Sequence, residues 1–368
     1  MVLWFCSGTA GELIKLYPLI RLAEERGLPW FALSTGQSAV NYWKQWDDFR
    51  LPRSRCGSLI STQADLRTSG EALKWFARAT TISASKLARK VVELSGHLPQ
   101  PSDAWIVHGD TLSTLVGAWY ARKLGVPLAH VEAGLRSSHL FKPFPEEINR
   151  RCVSRFARFH FPQDELATKN LERARVAGKV ICTGGNTLID ALERIEQEFE
   201  VPKDMPNEPY VVANIHRFEN LNSGQRWNQT IEVLAQAART RKVCLVLHPP
   251  TEAKLEAEPE SRRRLLDAGV ELLPRQPFSR FVHYLSGSDY VISDGGSNQE
   301  ECFYLGKPCL ILRESTERIE GLEGPCLLTR FDPTAIDRFL KDPESFRGPR
   351  IQFAESPSSL ILRGLESG

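Results

Sequence analysis

Three acidic residues stand where apolar segments of the chain give way to turns. Asp110 and Glu132 each follow a short apolar run, and Glu146 opens a segment with helical spacing, with Arg150 one turn later on the same face. Carboxylates crowded at one place shift one another's pKa upward and suit proton transfer. Capping of the following helix is the alternative role for Asp110. We therefore predict that Asp110, Glu132 and Glu146 form a cluster of candidate acids and bases.

A second set of residues in the later half of the chain is typical of phosphate binding. His216 and Arg217 follow an apolar run, a pairing that suits a phosphate leaving group. Gly295-Gly296-Ser297 lies between an apolar run and a helical segment, where backbone N–H groups can cradle a phosphate. Glu301, one turn into that segment, is placed to accept hydrogen bonds from ribose hydroxyls. Arg313 adds positive charge at the same edge.

A glycine-bearing loop follows the first apolar run of the chain. The loop, Ser7-Gly8-Thr9-Ala10-Gly11, leads into a helical segment that carries Lys15. Glycines allow backbone N–H groups to approach an anion, and tight packing is an equally good explanation for them. The spacing matches neither the dinucleotide fingerprint nor the P-loop, which argues against both classes of nucleotide site.

Short apolar runs alternate with helical segments along the whole chain, which predicts βαβ units and parallel sheets. The stretch 201–209 is rich in proline and predicts a linker. We therefore expect an α/β fold of two doubly wound, Rossmann-like domains, residues 1–200 and 201–350, facing across a cleft, with residues 351–368 packing back on the first domain. Ligands of such folds bind at the carboxyl ends of the strands. Pro259 should interrupt the helical stretch Glu252–Ala268.

Composition excludes several classes of protein. The 368 residues carry a net charge of +2 and no Lys/Arg block, so a nucleic-acid partner is not expected. No apolar run approaches the ~18 residues of a membrane span, and no signal peptide is recognisable, which predicts a cytoplasmic protein. The eight cysteines include no Cys-x-x-Cys pair, so neither a metal site nor a disulfide framework is expected.

Taken together, the motifs resemble those of the non-hydrolysing UDP-N-acetylglucosamine 2-epimerase family. The matching stretches, in chain order, are Gly8-Thr9-x-x-Glu12 with Lys15, His108-Gly109-Asp110-Thr111, His130-Val131-Glu132-Ala133-Gly134-Leu135-Arg136, Pro145-Glu146-Glu147-x-Asn149-Arg150, Gly185-Asn186-Thr187-x-Ile189-Asp190-Ala191-Leu192, His216-Arg217-x-Glu219-Asn220, Gly296 to Glu301, Leu305-Gly306-Lys307-Pro308 and Thr316-Glu317-Arg318.

The resemblance implies a glycosyltransferase-B-like fold, a UDP-sugar substrate, no metal and no redox cofactor. It also implies elimination of UDP to a 2-acetamidoglucal and re-addition with inversion at C2, a role in cell-surface polysaccharide precursor synthesis, and a homodimer. By the same resemblance the catalytic residues are Asp110, Glu132, Glu146 and His216. The implied UDP-sugar ligands are Lys15, Arg136, Arg150, Arg217, Gly295, Gly296, Ser297, Glu301 and Arg313.

The chain departs from the family pattern at two positions, and alternative functions remain open. Ala10 stands where the family has arginine, a loss of about 1.5–3 kcal/mol of phosphate binding unless another arginine substitutes. Ser38 stands where the family has histidine, in the region that binds a regulatory UDP-sugar, which bears on allosteric activation by substrate. The alternatives are an epimerase of a modified UDP-sugar such as a diacetamido-uronic acid, a hydrolysing epimerase, a glycosyltransferase on the same scaffold, and an inactive nucleotide-sugar-binding paralogue.

Overall fold

The computed structural model of the chain describes residues 1–62, 64–66, 68–137, 145–316 and 318–367. The chain divides into two compact units, Met1–Arg194 with Phe353–Gly368, and Ile195–Gln352. Each unit contains one parallel sheet with helices between successive strands, which confirms the predicted α/β class. The proline-rich stretch 201–209 lies inside the second unit, because the division falls earlier, within a helix.

The first unit is built on a seven-stranded parallel sheet. Its strands are β1 (Leu3–Ser7), β2 (Trp30–Ser34), β3 (Cys56–Ser58), β4 (Ala104–His108), β5 (Leu128–Val131), β6 (Phe159–Phe161) and β7 (Lys179–Val180). Its helices are α1 (Ala10–Glu25), α2 (Ala39–Asp48), α3 (Ser69–Thr81), α4 (Ala84–Ser95), α5 (Leu112–Leu124), α6 (Glu146–Phe156), α7 (Glu165–Arg173) and the start of α8 (Leu188–Glu198). The strand order β3-β2-β1-β4-β5-β6-β7 reverses direction between β1 and β4, where ligands of doubly wound sheets bind.

The second unit repeats this plan with six parallel strands. These are β8 (Tyr210–Asn214), β9 (Lys242–Val246), β10 (Glu271–Leu273), β11 (Tyr290–Ser293), β12 (Cys309–Ile311) and β13 (Cys326–Leu328). The helices are α9 (Phe218–Leu221), α10 (Gly224–Ala237), α11 (Pro249–Ala257), α12 (Pro259–Asp267), α13 (Phe278–Gly287), α14 (Gly296–Leu305) and α15 (Pro333–Lys341). The order β10-β9-β8-β11-β12-β13 reverses between β8 and β11.

Local sequence explains several of these elements. All five residues of β1 are buried, as expected for a central parallel strand that is covered on both faces. Thr9 caps α1 in a capping box with Glu12. The predicted interruption at Pro259 is confirmed, since α11 ends at Ala257 and α12 begins at Pro259.

The carboxy-terminal helix α16 (Pro357–Glu366) packs against α1 of the first unit. The Ser358 backbone N–H donates to Asp190 Oδ2 at 2.7 Å. Burial raises the pKa of Asp190 to about 6. All eight cysteines are free thiols, and within the described ranges no helix is both long and apolar enough to cross a bilayer.

Candidate functional site

Glu132 occupies an unusual backbone position directly after β5. Its φ is +62°, in the left-handed region, which costs a residue with a side chain about 1–2 kcal/mol. The Glu132 side chain is only 9% exposed. Strained, buried, charged residues of this kind persist where the surroundings hold them, and they cluster at functional sites.

Three side chains surround the Glu132 carboxylate. Lys15 Nζ and Asn186 Nδ2 both donate to Oε1, at 2.8 and 2.6 Å, and His108 Nδ1 lies 3.7 Å from Oε2. Lys15 was predicted to bind the nucleotide portion of the ligand, and the structure places its ammonium on this carboxylate. The pair belongs to the first unit, at the carboxyl ends of the strands.

Asp110 lies at the end of β4, next to β5 in the sheet. Its Oδ2 accepts hydrogen bonds from Arg150 Nε at 2.8 Å and Nη2 at 2.6 Å, and Asn149 Nδ2 donates to its carbonyl oxygen at 2.8 Å. The residue that caps α5 is Thr111, so the capping role considered for Asp110 is wrong. Arg150, predicted as a UDP-sugar ligand, is thus held against one of the candidate acids.

Two adjacent glutamates open α6, and the structure separates their roles. Glu147 is fully buried and accepts hydrogen bonds from the Ser137 backbone N–H at 3.0 Å and Arg151 Nε at 2.7 Å, a structural arrangement. Glu146 Oε2 is buried with no hydrogen-bond partner among the described residues. Of the two, Glu146 is therefore the one with a carboxylate oxygen left for a ligand, and its role as a candidate acid or base stays a prediction.

The glycine-bearing loop after β1 is explained by packing. A Cβ on Gly8 would lie 2.1 Å from Thr35 Oγ1. The buried Glu12 accepts the Gly8 and Thr9 backbone N–H groups and the hydroxyls of Thr111 and Thr114, all at 2.9–3.0 Å. Burial raises the pKa of Glu12. This network ties the loop to the start of α5. Tight packing therefore explains Gly8, whereas a Cβ on Gly11 would meet nothing within 4 Å.

Arg136 follows the same strand as Glu132. Its guanidinium donates to the Leu135 carbonyl at 2.8 Å and to Ser154 Oγ at 3.3 Å. Burial lowers its pKa. The side chain therefore lies along α6, one turn of helix from the pair formed by Arg150 and Asp110.

In the second unit a buried carboxylate organises the His-Arg turn. Asp294 is fully buried at the end of β11 and accepts the backbone N–H groups of His216 and Arg217, at 2.9 and 3.0 Å, and Asn220 Nδ2 at 3.0 Å. Sequence reasoning did not select Asp294 as a site residue. The signal was available, because Asp294 follows an apolar strand as Glu132 does.

His216 packs between a histidine and a glycine. Its ring stacks on His248 with centroids 4.7 Å apart and 27° between planes. A Cβ on Gly295 would lie 2.8 Å from His216 Cε1. Burial lowers the pKa of His216, against an opposing effect of Asp294, and burial lowers the pKa of His248 to about 4. Both imidazoles are therefore neutral near pH 7.

The start of α14 is an anion-binding arrangement. Gly295 occupies the cap position without a capping side chain, and Ser297 in the first turn is exposed. A Cβ on Gly296 would lie 3.4 Å from Arg318 Nε and 3.8 Å from Arg217 Nη2, so two guanidiniums flank the helix start. Arg318 Nη1 also forms an ion pair with the buried Glu300, 2.8 Å from its Oε2. The N–H groups of the first turn, the helix dipole and Arg217 together favour a phosphate or diphosphate.

Two further predicted ligands belong to the second unit: Glu301 lies in α14, and Arg313 follows β12. Glu301 in α14 is buried and accepts from Asn298 Nδ2 at 2.7 Å. Arg313, after β12, has Nη2 3.7 Å from Glu219 Oε1. Among the residues that the structure describes, no group of three His, Cys, Asp or Glu side chains could hold a metal ion.

The chain is similar to known proteins in sequence and in structure. Residues 79–344 match the family model described as UDP-N-acetylglucosamine 2-epimerase. The chain is 27% identical to the enzyme of that name from Methanocaldococcus jannaschii over 335 residues, 88% of this chain and 86% of the relative. It is 33% identical to the Neisseria meningitidis enzyme over 238 residues, 60% of this chain and 62% of the relative, so this match spans less than two thirds of that protein. The crystal structure of the N. meningitidis enzyme bound to UDP-GlcNAc is similar over 100% of both chains, with 27% identity and a TM-score of 0.72.

Proposed function

Because the chain belongs to the UDP-N-acetylglucosamine 2-epimerase family, a family of isomerases, we propose that it interconverts UDP-N-acetylglucosamine and UDP-N-acetylmannosamine. The observation that carries the proposal is Glu132, a buried carboxylate on strained backbone, ion-paired with Lys15 and one strand away from Asp110. A carboxylate held in a defined position is one of the groups that transfer a proton to or from carbon.

The proposed reaction has two steps. A carboxylate takes the C2 proton while the bond between C1 and the UDP oxygen breaks, which leaves a C1–C2 double bond in 2-acetamidoglucal. A proton is then returned to C2 on the opposite face while the UDP oxygen bonds again to C1. Inversion requires proton-transfer groups on two faces of the sugar, and Asp110, Glu132 and Glu146 are the candidates.

The leaving group requires a separate set of contacts. The diphosphate would bind at the start of α14 with Arg217 and Arg318, whose guanidiniums flank Gly296. The His216 imidazole, held against Gly295, would donate a hydrogen bond to a diphosphate oxygen.

The proposal is tested by incubating the purified protein with UDP-N-acetylglucosamine in deuterated water. We expect the manno epimer to form with deuterium at C2, detected by NMR. Retention of protium at C2, or no epimer, would contradict the proposed reaction. Release of UDP in proportion to free sugar would instead identify a hydrolysing enzyme, and products that require an added acceptor would identify a glycosyltransferase. Turnover of a diacetamido-uronic acid UDP-sugar alone would identify the modified-sugar epimerase.

Two wider expectations come from the family resemblance. Assembly as a homodimer and supply of precursors for cell-surface polysaccharides both stay predictions. Sedimentation at several protein concentrations tests the first. Loss of a surface polysaccharide when the gene is deleted tests the second.

Gly295→Ala should disturb the leaving-group site without unfolding the second unit. The new methyl group would displace the His216 ring, and a misplacement of this kind lowers kcat by about 10²-fold. UDP affinity by calorimetry should fall as well. Gly224→Ala is the matched control, since Gly224 also begins a helix and a Cβ there meets nothing within 4 Å. Equal activity of the two variants would remove the argument for His216.

A further inference from the structure

Asn186 is a buried side chain that the proposed reaction does not yet use. It belongs to the stretch Gly185-Asn186-Thr187, ahead of α8, and is 2% exposed. Its Nδ2 donates to Glu132 Oε1 at 2.6 Å and to Gln163 Oε1 at 3.0 Å, and its Oδ1 accepts the Leu188 backbone N–H at 3.0 Å.

These three hydrogen bonds define the orientation of the Asn186 amide. A backbone N–H can only donate, so the Asn186 atom that faces Leu188 must be the oxygen. The NH₂ group therefore faces Glu132, whose carboxylate accepts. The amide thus delivers a directed donor to the same oxygen that Lys15 contacts.

The next residue connects this loop to Lys15 as well. Thr187 Oγ1 donates to the Lys15 backbone carbonyl at 2.6 Å, so residues 186 and 187 hold both members of the Lys15–Glu132 pair. Two donors to Oε1 from different elements fix the rotation of the carboxylate. The other carboxylate oxygen, Oε2, lies on the side of His108.

The carboxy-terminal segment holds the Asn186 loop in turn. A Cβ on Gly185 would lie 2.5 Å from Phe353 Cζ, so the Phe353 ring rests directly on this glycine. Asp190, in the first turn of α8, accepts the Ser358 N–H at the start of α16. The loop therefore packs between the carboxyl ends of the strands of the first unit and the carboxy-terminal segment that contains Phe353 and α16.

From this geometry, and on the basis of the proposed function, we propose that Asn186 is a positioning residue that orients the Glu132 carboxylate for proton transfer at C2. The side chain acts through Glu132 and makes no contact with substrate. Its contribution depends on the donor it presents and not only on the volume it fills.

Asn186 could act through the hydrogen bond that it donates or only through the volume that it fills. The two roles predict opposite orders of kcat for the variants Asn186→Asp and Asn186→Ala. Asn186→Asp keeps the shape, replaces the donor with an acceptor and places a second carboxylate against Glu132. Asn186→Ala removes the donor and leaves a cavity. We expect kcat to fall by about 10²-fold in Asn186→Ala and by more in Asn186→Asp at pH 8. A filling role would make the isosteric aspartate the milder change.

The pH dependence provides a second readout. Two carboxylates in contact share a proton at lower pH, and the shared proton restores a donor between them. The other charged or titratable groups near Glu132 include Lys15, His108 and His130, and they are the same in both proteins. The ratio of Asn186→Asp activity to wild-type activity should therefore rise as the pH falls from 8 to 6.

The experiment compares wild type, both Asn186 variants and Thr183→Val, with kcat and KM for UDP-N-acetylglucosamine, Tm and UDP affinity. Thr183 is a buried loop residue whose hydroxyl bonds the Pro162 and Gly185 carbonyls, so Thr183→Val loosens the loop but keeps the amide donor to Glu132. It should lower Tm, and it should lower kcat by less than either Asn186 variant does. UDP affinity should be unchanged throughout. A milder loss in Asn186→Asp than in Asn186→Ala, with a pH-independent ratio, would overturn the positioning role. Absence of turnover in the wild type would instead refute the proposed function.

Discussion

In a Glu132→Gln variant, kcat for epimerisation should fall by about 10³-fold, the range expected for loss of a group that transfers a proton. The amide keeps the shape of the side chain and the hydrogen bond from Asn186, but it cannot accept the C2 proton. UDP affinity should be unchanged, because Lys15 and the predicted diphosphate contacts at the start of α14 are all kept in this variant. The measurements are NMR detection of the manno epimer and calorimetry with UDP.

The variant also removes the charge of Glu132 from its ion pair with Lys15, at a site where both side chains are about one-tenth exposed. Removing one partner of a buried ion pair costs about 3–5 kcal/mol, so the single variant should unfold at lower temperature. Lys15→Met combined with Glu132→Gln removes both charges and should recover most of the Tm. Activity should stay low in the double variant. Recovery of activity together with Tm would show that Glu132 acts on stability and not on the reaction.

Asp110→Asn is expected to lower kcat by about 10²- to 10⁴-fold while the protein stays folded. Asp110 accepts two hydrogen bonds from Arg150 but is 26% exposed, so loss of this ion pair should cost only about 1 kcal/mol of stability. Loss of turnover without loss of Tm would identify a chemical role for the carboxylate. A near-normal rate would exclude Asp110 from proton transfer.

Asp103→Asn is the matched control for this variant. Asp103 precedes β4, the strand that leads to Asp110, and accepts hydrogen bonds from the Val2 and Gln100 backbone N–H groups and from Trp4 Nε1. The NH₂ group of an asparagine there would face N–H groups that are themselves donors, so hydrogen bonds are lost. Tm should therefore fall more than in Asp110→Asn. The value of kcat should nevertheless stay near that of the wild type, because Asp103 precedes β4 and Asp110 follows it, so the two aspartates lie at opposite ends of the same strand. The two aspartates thus separate stability from chemistry.

Much of the fold could be predicted from local pattern. Central strands such as Ala104–His108 and Tyr210–Asn214 are apolar up to their last residue, and α6 begins at Glu146 and ends at Phe156 as its spacing predicts. The strands that the pattern did not reveal, Cys56–Ser58, Phe159–Phe161 and Cys326–Leu328, have only three residues each. Such short runs do not carry a periodic signal.

The candidate site was predictable in position more than in detail. Parallel strands bring their carboxyl ends to one edge, so Asp110 and Glu132 were expected to lie close together from the strand pattern alone. The pattern could not show that Glu147 is buried in hydrogen bonds while the neighbouring Glu146 presents an unsatisfied oxygen. That difference arises from the direction in which each side chain leaves the first turn of α6.

By itself, the sequence determined which segments alternate between strand and helix and which polar residues follow the strands, because both depend on neighbours within a few positions. Only the tertiary structure decided which of these polar residues form hydrogen bonds and ion pairs with one another. Glu132 bonds Lys15 and Asn186 from 117 and 54 positions away, and Asp294 holds the His216 turn from 78 positions away. Such pairs form when non-consecutive strands become neighbours in a sheet, and hydrogen-bond geometry then selects one oxygen among several.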